Sequence, residues 1–271
     1  MNIRSRQLGE RLLQRMAEKH WGVREMSRKL EMSAQWVSSV TRGLTRPDPA
    51  RLARFLTTLE IRGAEYRELM AMADEMRKPG LLERSEILQT LISHEEHATT
   101  ISAFQSSVVP GLLQTGDYAR NLAIEMGAPA EPDRVDEHVF ARLSRQSVLA
   151  RPLVRFRFFL HEFVLRLPVG GAGVMDGQLR QLARISLQPN AAIRIVPASL
   201  GGHPASAGRF LLLESDSFKP VVCIEGEATS MYLEEPHEIN AYRRVLSGLD
   251  SRALGEEDSR EFIASLLSRL R

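Results

Sequence analysis

One cysteine, Cys223, stands among 271 residues, so neither an intrachain disulfide nor a cysteine-rich zinc site can form. A reducing compartment fits that scarcity. Lysine is also rare, at 4 against 32 arginines. The skew matches GC-rich coding, so arginine content alone does not argue for phosphate binding. Long apolar runs are missing too. The densest stretch, Phe156 to Leu167, is broken by Arg157, His161, Glu162 and Arg166, which excludes a membrane-spanning helix. The first residues, MNIRSRQLGERLLQRM, hold no continuous apolar segment of the signal-peptide kind. Together these readings place the protein in the cytoplasm. No repeat and no low-complexity tract is visible.

What is present is enough apolar residue for a core, at 43%, in a length that suits one large domain or two smaller ones. Net charge is only +2, but it is unevenly spread. Residues 1–54 carry 12 basic and 5 acidic side chains, while residues 81–271 carry 20 and 24. A basic head on a mildly acidic body fits a head that meets a polyanion.

The breaker pair at Lys78-Pro79-Gly80 marks a boundary, with an all-α domain over 1–78 and a larger domain over 81–271. Before it, apolar residues repeat at helical spacing. They run Leu8, Leu12, Leu13, Met16; Val23, Met26, Leu30; Val37, Val40, Leu44; Leu52, Phe55, Leu56, Leu59; and Tyr66, Leu69, Met70, Ala73. After it, helices are expected over 82–99, 117–125, 132–149, 175–186, 236–249 and 256–270. Strands are expected over 101–109, 153–163, 192–196, 208–214 and 220–225. That order predicts an α+β (mixed α/β) body around one sheet.

The stretch Val23 to Pro49 has helix-turn-helix spacing. One helix ends at Leu30, Glu31 and Met32 turn the chain, and Ser33 can cap the next helix. Val37 and Val40 pin that helix to a core, which leaves Ala34, Gln35, Trp36, Ser38 and Ser39 facing away. Gly43 suits the position after the helix, Asp48 can cap a further helix, and Pro49 fits its first turn. A helix fits the major groove of double-stranded DNA. Gln35 can pair with an adenine edge, Ser38 and Ser39 can bond bases or phosphates, and Trp36 offers an apolar face to a thymine methyl. Arg24, Arg28, Ser33, Arg42, Thr45 and Arg46 could hold phosphates on either side.

With these residues in view, 7–73 resemble the five-helix DNA-binding domain of the XRE (Cro/C1-type) regulators. Met26, Ser27, Leu30, Ser33, Val37, Ser38, Val40, Arg42, Gly43 and Pro47 carry the resemblance. The turn holds Glu31 where that family usually holds glycine. The resemblance implies that the third helix reads the major groove and that two copies bind paired half-sites.

Residues 81–271 resemble a large domain of unknown function found in actinobacterial XRE-type regulators. The matching blocks begin with Glu96 to Phe104, Val109-Pro110-Gly111-Leu112-Leu113-Gln114-Thr115, Tyr118-Ala119-Arg120, Arg142 and Arg145-Gln146. They continue with His161-Glu162, Val174-Met175, Gln178-Leu179, Ile195-Val196-Pro197, Gly208-Arg209-Phe210 and Val222-Cys223-Ile224-Glu225. The resemblance implies an antitoxin-like or developmental regulator with a small partner protein encoded nearby, and no established catalysis. Physically, Gly111 permits a bend and Thr115 or Asp117 can cap a helix.

Glu96, Gln114, Glu162 and Glu225 lie beside apolar runs and could line a ligand or partner pocket, or pair with arginines such as Arg120, Arg142 and Arg145. A zinc-protease helix needs histidines four apart, whereas His94 and His97 are three apart. No phosphate loop and no nucleophile elbow is present. The expectation is therefore a DNA-binding regulator without metal, cofactor or catalytic residues. The competing reading is a metal-dependent hydrolase built on His94, Glu96, His97, His161 and Glu162, with a helical targeting domain.

Overall fold

A computed structural model describes residues 3–75, 80–127, 132–226 and 229–270. Five helices come first: α1 (Ile3–Glu18), α2 (Val23–Leu30), α3 (Ala34–Thr41), α4 (Pro49–Thr58) and α5 (Gly63–Glu75). Then follow β1 (Gly80–Glu83), α6 (Arg84–His97), β2 (Thr100–Gln105), α7 (Gly116–Glu125) and α8 (Pro132–Ser144). The middle of the chain holds β3 (Arg155–His161), α9 (Glu162–Arg166), α10 (Gly171–Ile185) and β4 (Ala191–Val196). The rest is β5 (Phe210–Glu214), β6 (Val221–Glu225), β7 (Thr229–Leu233), α11 (Pro236–Asp250) and α12 (Glu256–Arg269). Among the described residues, no helix is long and apolar enough to cross a membrane.

The chain divides into two compact units. One holds Met1–Thr90 with Gly226–Glu234; the other holds Leu91–Glu225 with Glu235–Arg271. Lys78 and Pro79, where sequence reading sets the boundary, lie outside the described residues.

In the first unit the helical stripes converge on one core. Leu8, Leu12, Met16, Met26, Leu30, Val37, Val40, Leu52, Phe55 and Leu56 are all buried in it. Leu13, expected in the first stripe, is 40% exposed because Leu12 and Met16 already fill the inward face. Arg15 ties α1 to α5 through a two-point contact with Glu65, at 2.9 and 2.5 Å. β1 pairs antiparallel with β7, Leu82 opposite Ser230.

Three of these helices end in left-handed residues that are not glycine: His20 (φ 57), Glu31 (φ 54) and Glu60 (φ 61). Each is followed by an apolar residue whose N–H reaches back five positions. Trp21 bonds Met16 O at 2.8 Å, Met32 bonds Ser27 O at 3.1 Å, and Ile61 bonds Leu56 O at 3.0 Å. That is the Schellman closure, with the apolar residue after the bend packed against the core. The left-handed conformation costs a residue with a Cβ roughly 1–2 kcal/mol. Burial of Trp21, Met32 and Ile61 and the recovered carbonyl bonds offset it.

In the second unit the sheet order is β6-β5-β2-β3-β4. β2, β3 and β4 are parallel, with Phe104 beside Phe159 and Leu160 beside Ile195. β5 runs antiparallel to both β2 and β6. Ile101 to Gln105 are buried without alternation, as strands covered on both faces are. The structure thus has an amino-terminal helical region and a carboxy-terminal mixed sheet with helices.

Several predicted bounds move. The helix expected from Leu82 begins at Arg84, because 80–83 pair with β7, a strand that local sequence did not announce. The strand expected over 101–109 ends at Gln105, and that over 153–163 ends at His161, whose ring nitrogen accepts the Phe163 N–H at 3.1 Å and starts α9.

Replacing Glu31 by glycine removes the left-handed penalty and also the exposed Arg54–Glu31 ion pair. The strain exceeds the worth of such a surface pair, so Glu31→Gly should stabilise the amino-terminal helices by about 0.5–1 kcal/mol. Urea unfolding followed by helical circular dichroism measures this; a loss of stability would show that Glu31 is not strained.

Candidate functional site

α2 and α3 are joined by a turn whose geometry follows from local chemistry. Glu31 bends the chain, and Ser33 accepts the Trp36 N–H on its hydroxyl at 3.1 Å, capping α3. Such a cap contributes about 0.5–2 kcal/mol. Val37 and Val40 are fully buried, and the Thr41 hydroxyl turns inward to donate to Val37 O at 2.9 Å. The opposite face is open: Ala34 and Gln35 are exposed, and Ser38 and Ser39 are half-buried. Helical spacing puts Gln35, Ser38, Ser39 and Arg42 side by side on it.

Trp36 behaves differently from its neighbours. It is half-buried, its ring lies 6.2 Å from Phe55, and Arg51 sits 5.9 Å above it. Much of its surface is spent on the core.

Past α3, Gly43 takes φ 66, where added side-chain atoms would strike Arg6 of α1. The N–H groups of Leu44 and Thr45 both donate to Ser39 O, at 2.7 and 3.1 Å, so the chain doubles back tightly. Asp48 caps α4 by accepting the Arg51 N–H at 3.0 Å. Arg24, Arg42, Thr45 and Arg46 are exposed around this face, and among the described residues Arg24 and Arg46 make no ion pair. Arg28 pairs with Glu25 at 2.6 Å but stays 76% exposed. A surface pair of that kind is weak, so its guanidinium remains available to another anion.

The second unit does not bring the other four candidates together. Glu96 is exposed on a cleft of about 320 Å³ with Glu95, Arg145 and Arg151. Glu225 lines a different cleft, of about 280 Å³, with Arg209 and Tyr242. Glu162 starts α9, accepting from the Ala198 N–H at 2.9 Å and Arg166 at 2.6 Å. Those contacts, the Ala198 bond foremost, hold its carboxyl below the usual range. Gln114 is buried inside a network of side-chain amides.

That network explains the block from Val109 to Thr115. Gln114 donates to Val109 O at 2.6 Å and accepts from Arg142 at 2.9 Å. Gln146 donates to Gln114 O at 2.6 Å. Gln178 donates to Leu113 O and accepts from Thr115 N–H, both at 2.8 Å. Gly111 starts a short 3-10 turn and needs no left-handed conformation; side-chain amides hold the bend instead. Buried backbone groups need partners, and here long polar side chains supply them.

Sequence reading singled out Glu96, but the buried carboxylate is its neighbour Glu95. Arg145 grips Glu95 at two points, 2.9 and 2.7 Å. The signal was available: Leu91, His94, Glu95 and Ala98 share one inward helical face. Burial pushes the Glu95 carboxyl up, with Arg145 opposing. His94 packs edge-on to Phe218 at 5.0 Å, and His97 is bonded to Ser93 O at 2.8 Å. Among the described residues, no group of three or more His, Cys, Asp and Glu side chains could hold a metal ion. Cys223 is buried and forms no disulfide.

Residues 88–265 match the family described as "Domain of unknown function (DUF5753)". The match spans more than half of the chain, and the chain belongs to that family. Among the curated proteins and among the solved structures, nothing matches.

Removing one member of a buried ion pair strands the other charge, at a cost of about 3–5 kcal/mol. Arg145→Met should therefore destabilise the second unit by that order at neutral pH. Without Arg145 the Glu95 carboxyl rises further. The deficit should shrink as pH falls through that raised pKa towards the ordinary carboxylate value and Glu95 gains a proton, and grow again as pH rises. Thermal unfolding across that range tests it; a pH-independent deficit would contradict it.

Proposed function

We propose that this chain is a sequence-specific, DNA-binding transcriptional regulator, with α3 as its reading helix. One observation carries the reading: α3 buries Val37, Val40 and Thr41 while leaving Gln35, Ser38, Ser39 and Arg42 on an open face. The net positive charge of residues 1–54 and the resemblance to XRE-type regulators support it. In this reading Gln35 bonds an adenine edge, and Ala34, Ser38 and Ser39 contact neighbouring bases. Arg24, Arg28, Arg42, Thr45, Arg46 and the Ser33 hydroxyl take phosphates. Trp36 serves mainly as a wall that sets the height of α3 above its core. A helix of eight residues reads few base pairs, so two copies bind paired half-sites.

We extend the proposal to the family domain: it senses a ligand or docks a small protein encoded by a neighbouring gene. Its acidic balance keeps it off DNA and free for that role. Co-expression with that small protein should yield a stable complex; a tightly held metabolite with no protein partner would favour the sensing alternative.

Binding should prefer DNA from the chain's own upstream region and should weaken steeply with salt as phosphate contacts release counterions. Gln35→Ala should cost about 1–3 kcal/mol per half-site at one base position and relax preference there. Equal affinity for random fragments would sink the reading. Light scattering should show two copies on DNA, and a single copy there would remove the paired-site element.

A further inference from the structure

Glu234 lies inside the family-matched stretch 88–265, yet it folds with β7 into the same compact unit as α1 to α5. Its carboxylate accepts a hydrogen bond from Arg6 at 2.5 Å, and the two side chains are only 7% and 11% exposed. Burial lowers the Arg6 pKa, while Glu234 and then Glu10 of the same helix oppose that. Arg6 belongs to the start of α1, and its backbone is the surface on which Gly43 rests. A Cβ at Gly43 would lie 2.8 Å from both the Arg6 Cα and N. Gly43 in turn closes the end of α3, donating its N–H to Val40 O at 2.9 Å.

These contacts form an unbroken line from Glu234 through Arg6 and Gly43 to α3. We propose that Glu234 is a positioning residue for the reading helix: it fixes Arg6, and Arg6 is the seat of the α3 carboxy-terminal end. This rests on the DNA-binding reading above. Chain connectivity also places Glu234 between elements of the family domain. β6 ends at Glu225, β7 begins at Thr229 and α11 begins at Pro236, so Glu234 is tied closely on both sides to elements of the family domain.

The test uses the full chain with Glu234→Gln, which removes the charge, and Glu234→Asp, which keeps it on a shorter arm. Amide hydrogen exchange should quicken at Gly43, Leu44 and Thr45 by about tenfold in Glu234→Gln, inside the usual range for coupled sites. Glu234→Asp should show a smaller, equally local effect, and carries the test if Glu234→Gln unfolds. Amides of Leu52 to Leu56 in α4 should be unmoved. Preference for the selected DNA site should fall in step with exchange, while low-salt affinity for random DNA holds, because the phosphate-facing arginines are untouched. Exchange unchanged at 43–45, or quickened equally through α4, would overturn the proposal by marking no effect or a general loss of stability. If the unaltered protein shows no DNA preference, the functional reading fails, while the exchange measurement still decides whether Glu234 positions α3.

Discussion

An eight-residue helix is too short to persist alone in water, so α3 exists only because its neighbours hold it. Val37 and Val40 supply the apolar contact, and Ser33 closes the first turn. α1 comes close enough that even a methyl on Gly9 would collide with the Thr41 carbonyl. Close approach of that kind leaves α3 little room to rotate. The same dependence leaves its outer face open: Val37, Val40 and Thr41 point inward, and Gln35, Ser38, Ser39 and Arg42 are left over.

Strain at the helix ends belongs to the same economy of space. His20, Glu31 and Glu60 carry side chains in a backbone region that glycine occupies without cost. Each bend sends the next residue, Trp21, Met32 or Ile61, back onto the core. Full burial of a large apolar side chain is worth about 1.5–3 kcal/mol, so even the partial burial of Trp21 and Met32 offsets much of the bend's cost of roughly 1–2 kcal/mol. The bends therefore hold without glycine.

In the family domain a set of polar contacts accompanies the apolar core. Gln114, Gln146 and Gln178 serve the backbone of one turn, and Arg145 serves the buried Glu95. Such groups add less net stability than apolar residues of equal size would, because each is first stripped of water. Together they tie the turn at 109–115 to α8, to Gln146 just after it and to α10, and Arg145 ties α6 to the same stretch through Glu95. These directional bonds act beside a large apolar core, with Ile101, Phe104, Phe156, Phe158 and Ile195 buried in the family domain as Leu8, Leu12 and Phe55 are in the amino-terminal helices.

Local patterns determined much of this protein. Apolar spacing announced the five amino-terminal helices, Ser33 and Asp48 announced two caps, and runs of valine, isoleucine and phenylalanine announced β2 to β6, because these features depend on residues a few positions apart. The outward direction of Ala34, Gln35, Ser38 and Ser39 follows from the same periodicity, with the two serines half-buried. Helical spacing could have turned Glu95 inward rather than Glu96, but tertiary structure alone decided that Arg145 meets it, that β1 pairs with β7 and that Trp36 leans on Phe55. It also scattered Glu96, Gln114, Glu162 and Glu225, and brought Glu234 to Arg6. Each of those outcomes needs a partner distant along the chain. Sequence periodicity carries the direction in which a side chain points, but what meets it there depends on how the whole chain closes on itself.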